Sequence, residues 1–156
     1  MNLFISWSGE RSRLVAELLK SWIQCCFQGI NPWLSSKDID KGTIWFSEIT
    51  SQLSNTHNGI LCLSKSNLNN PWILFEAGAL AKGLSSNRVY TFLIDLQASD
   101  VKDPLAQFNH TTPDKESVYQ LMVMFGMKVR HFYSSSKYKI YTYNYQKKHN
   151  KFYYCF

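Results

Sequence analysis

"GILCLSKSNLNNPWILFEAGAL", residues 59–80, decides how this chain folds. Its first six residues form a continuous apolar run ending in Ser64, the pattern of a central strand in a parallel sheet, buried on both faces. Asn70 and Pro71 then open a helix. An asparagine side chain accepts from the first free amides, and proline at the first helical position loses nothing, because its missing N–H had no partner there. Inside that helix stands Glu76, a lone carboxylate after Trp72, Ile73, Leu74 and Phe75 and before the small residues Ala77, Gly78 and Ala79. Such an acid is either a buried, hydrogen-bonded structural group or a reagent.

Outward from this unit, strand and helix signals alternate. Toward the N-terminus, "LFISW" (3–7) reads as a short strand. A helix over 9–27 follows, with Leu14, Leu18 and Trp22 at successive four-residue steps, Val15, Leu19 and Ile23 widening that inward face, and Ser8 as its N-cap. Gly29 ends it, and "INPWLSS" (30–36) is a second strand. The polar loop "KDIDKG" (37–42) leads into a helix whose Ile44, Ile49 and Leu53 face inward. Toward the C-terminus, "RVYTFLID" (88–95) is a fourth strand, followed by a long polar connection carrying Pro104 and Pro113 and a last helix over 114–125.

The order β-α-β-α-β-α-β-loop-α predicts an α/β fold, a doubly wound parallel sheet with helices on both faces. Ligands in such sheets bind beyond the carboxyl ends of the strands. Ser6 to Gly9, Ser35 to Lys37 and Ser64 to Ser66 fall at those ends.

Charge is unevenly spread. The net charge is +6, yet residues 128–156 hold seven Lys/Arg and no acid, whereas residues 1–127 hold ten Lys/Arg against eleven Asp/Glu. The folded part is near neutral, so its composition does not speak for nucleic-acid binding. Cys25, Cys26, Cys62 and Cys155 form no CxxC and no disulfide framework, as expected of a reducing cytosol. There is no signal-peptide pattern, and no run approaches the roughly eighteen apolar residues of a membrane helix. The expectation is a soluble, cytoplasmic protein with no membrane partner. No GxGxxG or GxxxxGK[ST] occurs, and "SWSGE" lacks the first glycine of GxSxG. His57, His110, His131 and His149 are scattered without metal-ligand spacing, so no metal site is expected.

Residues 1–126 thus read as one domain and 127–156 as a basic, Tyr/Lys-rich tail. From Tyr133 onward lie seven of the nine tyrosines. "KIYTYNY" and "KFYYCF" around "QKKHN" suit a β-hairpin or a weakly ordered arm. The abrupt change after Gly126 reads as a non-homologous extension, such as a frameshifted end from AT-rich DNA; the alternative is an arm stacking on single-stranded nucleic acid.

"FISWSGERSRLVAELLKSWI" (4–23), "PWLSSKDIDKGTIWFSEITSQL" (32–53), residues 59–80 above and "LIDLQASDVKDPLAQF" (93–108) together resemble a bacterial TIR (Toll/interleukin-1 receptor) domain of the NAD-cleaving, anti-phage, Thoeris-like type. An FIS strand, a charged loop ending in glycine, a tryptophan three residues later, an "LS" strand end and W-x-x-x-E are weak singly; in this order they are specific. The resemblance implies a flavodoxin-like five-stranded sheet and cleavage of NAD⁺ at its nicotinamide–ribose bond, by hydrolysis or by cyclisation of the ADP-ribose. It implies Glu76 as the catalytic acid, with Phe4, Ser6, Ser8, Arg11, Ser35 and Trp45 around the substrate. Ser35 stands where other members often have Asp. NAD⁺ is then substrate, with no cofactor. Self-assembly through the 37–42 loop and a separate effector protein responding to the nucleotide product are the implied partners. The competing implications are a non-catalytic TIR interaction module and a nucleoside deoxyribosyltransferase-like enzyme.

The chemistry accepts Glu76 in that role. Nicotinamide leaves NAD⁺ as a neutral molecule, so no general acid is needed, and one carboxylate can stabilise an oxocarbenium-like transition state. A partly desolvated setting strengthens that stabilisation.

Overall fold

The computed structural model describes residues 1–35, 45–82 and 88–126. The 37–42 loop, Ile44 and the whole 127–156 tail lie outside the described residues. The chain falls into two compact units, Met1–Thr112 and Pro113–Phe156.

The first unit is built on five parallel strands: β1 (Asn2–Ser6), β2 (Asn31–Leu34), β3 (Asn58–Ser64), β4 (Arg88–Ile94) and β5 (Asn109–Thr111). Their spatial order is β2-β1-β3-β4-β5, and the helices α1 (Glu10–Cys26), α2 (Trp45–Ser54) and α3 (Pro71–Ala81) flank the sheet. This is the doubly wound, flavodoxin-like order, whose direction reverses between β1 and β3. Four of the strands carry the apolar signal described above. β5 does not: it is three residues, "NHT", on an edge inside the polar connection, too short and polar to show a period.

Register shows how the faces are assigned. Phe4, Gly59 and Val89 stand side by side across three strands. A Cβ built on Gly59 would lie 2.4 Å from Leu80 Cδ1, so α3 seats directly on this glycine. Ile49 and Leu53 of α2 and Ile73, Ala77 and Leu80 of α3 join Phe4, Leu61, Leu63 and Leu93 in one apolar cluster. Since side chains alternate along a strand, Ser6, two residues beyond Phe4, points to the α3 side as well.

Helix α1 packs over β1, β2 and β3. Its buried Ala16, Leu19 and Ile23 take no part in the α2–α3 cluster, which places it on the opposite face. Here the expected inward face is corrected. Leu14 and Leu18 are 40% and 61% exposed, and the buried stripe is Ser12, Ala16, Leu19 and Ile23. The stripe keeps helical spacing, but two members are small; they let the helix axis approach the sheet, where bulkier leucines would hold it off. The cap is corrected too. Gly9, not Ser8, is the N-cap, with φ +88°, a conformation that favours glycine. No side chain caps α1 among the described residues; the Ser12 hydroxyl instead ties the preceding turn to the helix, accepting from the Ser8 N–H at 3.1 Å and donating to the Ser8 carbonyl at 2.6 Å.

Helix α3 begins as expected, the Asn70 side chain accepting from the Trp72 N–H at 2.8 Å with Pro71 in the first turn. In the second unit α4 (Lys115–Met124) is capped by Asp114, whose carboxylate accepts from the Ser117 N–H at 2.9 Å. No helix among the described residues is long and apolar enough to cross a membrane.

Candidate active site

The carboxylate of Glu76 is fully buried, at 0% exposure. Both its oxygens are engaged. The Trp72 indole N–H, one helical turn earlier on α3, donates to Oε1 at 2.8 Å. The Ser6 hydroxyl, from the end of β1, donates to Oε2. Burial pushes the carboxyl up to about 7, against the downward pull of Ser6, Trp72 and Ser35 in that order. Desolvation penalises the anion more than three neutral donors restore it, and no charged side chain contributes to the shift.

Ser35 follows β2, its N–H donating to the Ile5 carbonyl at 3.1 Å, which sets it beside Ser6 on the α3 side of the sheet. Its hydroxyl is 1% exposed and close enough to Glu76 to lower the carboxyl's pKa. Yet it meets no partner at full hydrogen-bonding geometry among the described residues. A buried hydroxyl in that condition is unusual and offers a donor to anything that enters.

The other expected residues fall at different distances from this centre. Phe4 is fully buried, its ring tilted against Trp33 at 5.1 Å, and so lies beneath the site in the core. Ser8 is in the β1–α1 turn, its Oγ accepting from Asn70 Nδ2 at 2.8 Å. Arg11 forms an ion pair with Asp95, both side chains about half exposed, across the ends of β1 and β4. Asp95 holds φ +54°, unusual for a residue other than glycine. Trp45 opens α2, its side chain lying outside the described residues. The structure thus joins Glu76 with Ser6 and Ser35, sets Ser8 one hydrogen bond from the head of α3, and puts Phe4 below and Arg11 to the side.

Three residues with contacts at or near this centre were not among the expected site residues. In the sequence Trp72 figured as the tryptophan of W-x-x-x-E and not as a donor to Glu76, although the four-residue spacing was the signal for a direct hydrogen bond. Asn67 and Asp95 carried no local signal, because their partners lie 59 positions away (Ser8) and at the far end of another strand connection (Arg11). Trp72 also stacks on Phe75 at 5.2 Å, and Phe75 on Phe46 of α2 at 5.7 Å, which fixes the plane of the indole that holds Glu76. No group of three or more His, Cys, Asp or Glu that could hold a metal ion occurs among the described residues.

A buried, hydrogen-bonded acid at the carboxyl ends of a 2-1-3-4-5 parallel sheet, beside its point of reversal, defines a flavodoxin-like α/β domain with one acidic site. Comparison with known proteins names the family. Residues 3–121 match the model of the TIR domain, and the chain belongs to that family. Among solved structures it is similar to the TIR domains of the activated Roq1 resistosome, which directly recognises the pathogen effector XopQ. Identity is 18%, the match covers 80% of this chain and 70% of that one, and the TM-score is 0.53. No curated protein matches the chain.

Proposed function

We propose that this TIR domain cleaves NAD⁺ at the nicotinamide–ribose bond, releasing nicotinamide and either hydrolysing or cyclising the ADP-ribose. The observation that carries the reading is Glu76: a fully buried carboxyl, pushed up to about 7, held by one donor on each oxygen beside the Ser35 hydroxyl, which meets no partner at full hydrogen-bonding geometry among the described residues. Ser35 is the least of the three donors that favour the anion. A ribose diol would complete that arrangement, supplying an acceptor for Ser35 and donors for the carboxylate.

In this mechanism the Glu76 carboxylate stabilises positive charge developing at the ribose anomeric carbon as the C–N bond to nicotinamide lengthens. The bonding pair leaves with nicotinamide, which becomes neutral, so no proton has to be delivered. Water or a nucleophile within the ADP-ribose then bonds to the anomeric carbon, and the proton it loses passes to solvent. Ser6 and Trp72 fix the direction of both carboxylate oxygens, so the charge is aimed before the substrate arrives and little reorganisation is needed. The cationic pyridinium itself favours the ionised form of Glu76 on binding. In the cell we place this activity in antiviral signalling or NAD⁺ depletion in the cytoplasm. The TIR domains assemble with one another through the 37–42 loop, and a separate effector responds to the nucleotide product. The similarity to the TIR domains of an activated resistosome supports the self-association.

The test is chromatography with mass spectrometry of NAD⁺ incubated with concentrated wild-type protein and with Glu76→Gln. Release of nicotinamide by the wild type alone supports the reading, and the mass of the companion product separates hydrolysis from cyclisation. Release by neither protein, with phage-infected lysate added as trigger, moves the assignment to a non-catalytic interaction module.

A further inference from the structure

Two asparagines that the cleavage chemistry does not use lie between its parts. Asn67 is 1% exposed and makes three hydrogen bonds, all to backbone. Its Oδ1 accepts from the Ser64 N–H at 2.7 Å. Its Nδ2 donates to the Cys62 carbonyl at 3.0 Å and, across to the β1–α1 turn, to the Ser8 carbonyl at 3.0 Å. Asn70, three residues on, divides its amide in the same way. Oδ1 caps α3 at the Trp72 N–H, and Nδ2 donates to Ser8 Oγ at 2.8 Å.

Ser8 is therefore gripped twice, by its carbonyl and by its hydroxyl, from the β3–α3 connection. Each side of the grip carries one half of the Glu76 arrangement. Ser6, two residues before Ser8, donates to Oε2; Trp72 and Glu76 follow Asn70 on α3. A primary amide suits both places: Asn67 must accept once and donate twice, and Asn70 must accept once and donate once, from a single side chain in different directions.

We propose that Asn67 and Asn70 are positioning residues, clamping the β1–α1 turn to the head of α3 and so keeping the Ser6 hydroxyl on the Glu76 carboxylate. The effect on turnover rests on the reading of Glu76 as the NAD⁺-cleaving acid; the clamp itself rests on geometry alone. Loosening it lengthens the Ser6–Glu76 hydrogen bond, removes a donor that favours the anion, and misaims the carboxylate. KM is affected less than kcat, because the residues contact neither reacting atom.

Asn67→Ala takes the acceptor from the buried Ser64 N–H and a donor from the Cys62 carbonyl, and is the variant expected to fail to fold. The informative variants are Asn70→Ser, which keeps a capping hydroxyl but cannot reach Ser8, and Ser8→Ala, which keeps Asn70 and its cap. The readout is the Trp72 indole N–H cross-peak in ¹H–¹⁵N NMR, assigned by its loss in Trp72→Phe and titrated with pH, since this proton sits on Glu76 Oε1. Both variants should raise the titration midpoint by about half a unit and lower kcat about tenfold. In a Ser6→Ala background, where the donor is already gone, Asn70→Ser should shift the midpoint no further. An unmoved midpoint in Asn70→Ser, or a shift that persists without Ser6, overturns the clamp. A midpoint that moves in protein that cleaves no NAD⁺ leaves the clamp standing and removes the reaction. Cleavage that depends on Glu76, with an unmoved midpoint, does the reverse.

Discussion

Two strand–turn–helix units meet at the carboxyl ends of this sheet's central strands, and they treat carboxylates in opposite ways. In β3–α3 a helix apolar along most of its length carries one acid, Glu76, out of reach of water, and burial pushes it up to about 7. In β1–α1 an amphipathic helix carries Glu10 and Glu17 on its outer side, both bridged to Arg13. The guanidinium hydrogen bond there lowers Glu10 below its ordinary value. The same functional group is thus destabilised as an anion in one helix and favoured as one in the other. A charge that solvent and an oppositely charged partner satisfy has no reason to react; one held by neutral donors alone, out of solvent, is available to a cationic substrate.

The largest expected difference between the two units is catalytic. Glu76→Gln should lower nicotinamide release by at least about 10³-fold, measured by chromatography, whereas Glu17→Gln should leave it within twofold of wild type. Comparable losses from both would dissolve the contrast.

Stability should move the other way. The folded state holds the Glu76 proton to higher pH than the unfolded chain does. It therefore binds more protons between the ordinary value of 4.5 and about 7, and stability falls as pH rises through that window. Above it the folded protein carries the whole cost, on the order of 3 kcal/mol. Glu76→Gln should unfold at a higher urea midpoint than wild type at pH 8, the gap closing toward pH 5. A variant less stable than wild type at both pH values would mark Glu76 as a structural anion.

The two helix starts offer a smaller test. Gly9→Ala should cost about 2 kcal/mol. The cause is backbone strain at φ +88°, since an added Cβ would meet nothing nearer than Ser66 Oγ at 3.9 Å. Calorimetry showing no loss would mean that the turn relaxes. The smallest effect belongs to the outer face of α1, where Leu18→Gln at a 61% exposed position should change stability by less than about 0.5 kcal/mol.

The contrast also explains what could be read from the sequence. In β3–α3 every local signal points the same way: a continuous apolar strand, an asparagine cap, a proline after it, and one acid out of pattern. Strand, helix and candidate residue are all legible there. In β1–α1 the strand and helix are legible, but the face and cap are not. Counting leucines turned the helix toward Leu14 and Leu18, because Ser12 and Ala16 look unremarkable until a sheet is placed against them. A serine beside a glycine looked like the better cap until the backbone required a positive φ. β5 was hidden by its three residues. The hydrogen bonds that make Glu76 a site, from Ser6 70 positions away and from Asn67 to Ser8, are properties of the fold, which no window of sequence contains.

The most direct test of the account is the rate of nicotinamide release from NAD⁺ held well below KM, where the free enzyme's ionisation is reported, across pH 5 to 9, for wild type and Glu76→Gln, with the Trp72 indole resonance titrated on the same samples. The account predicts a wild-type rate that climbs as Glu76 ionises, with the resonance titrating near 7 in the free protein, and a Glu76→Gln protein at background throughout. A pH-independent wild-type rate, or undiminished release by Glu76→Gln, would contradict it.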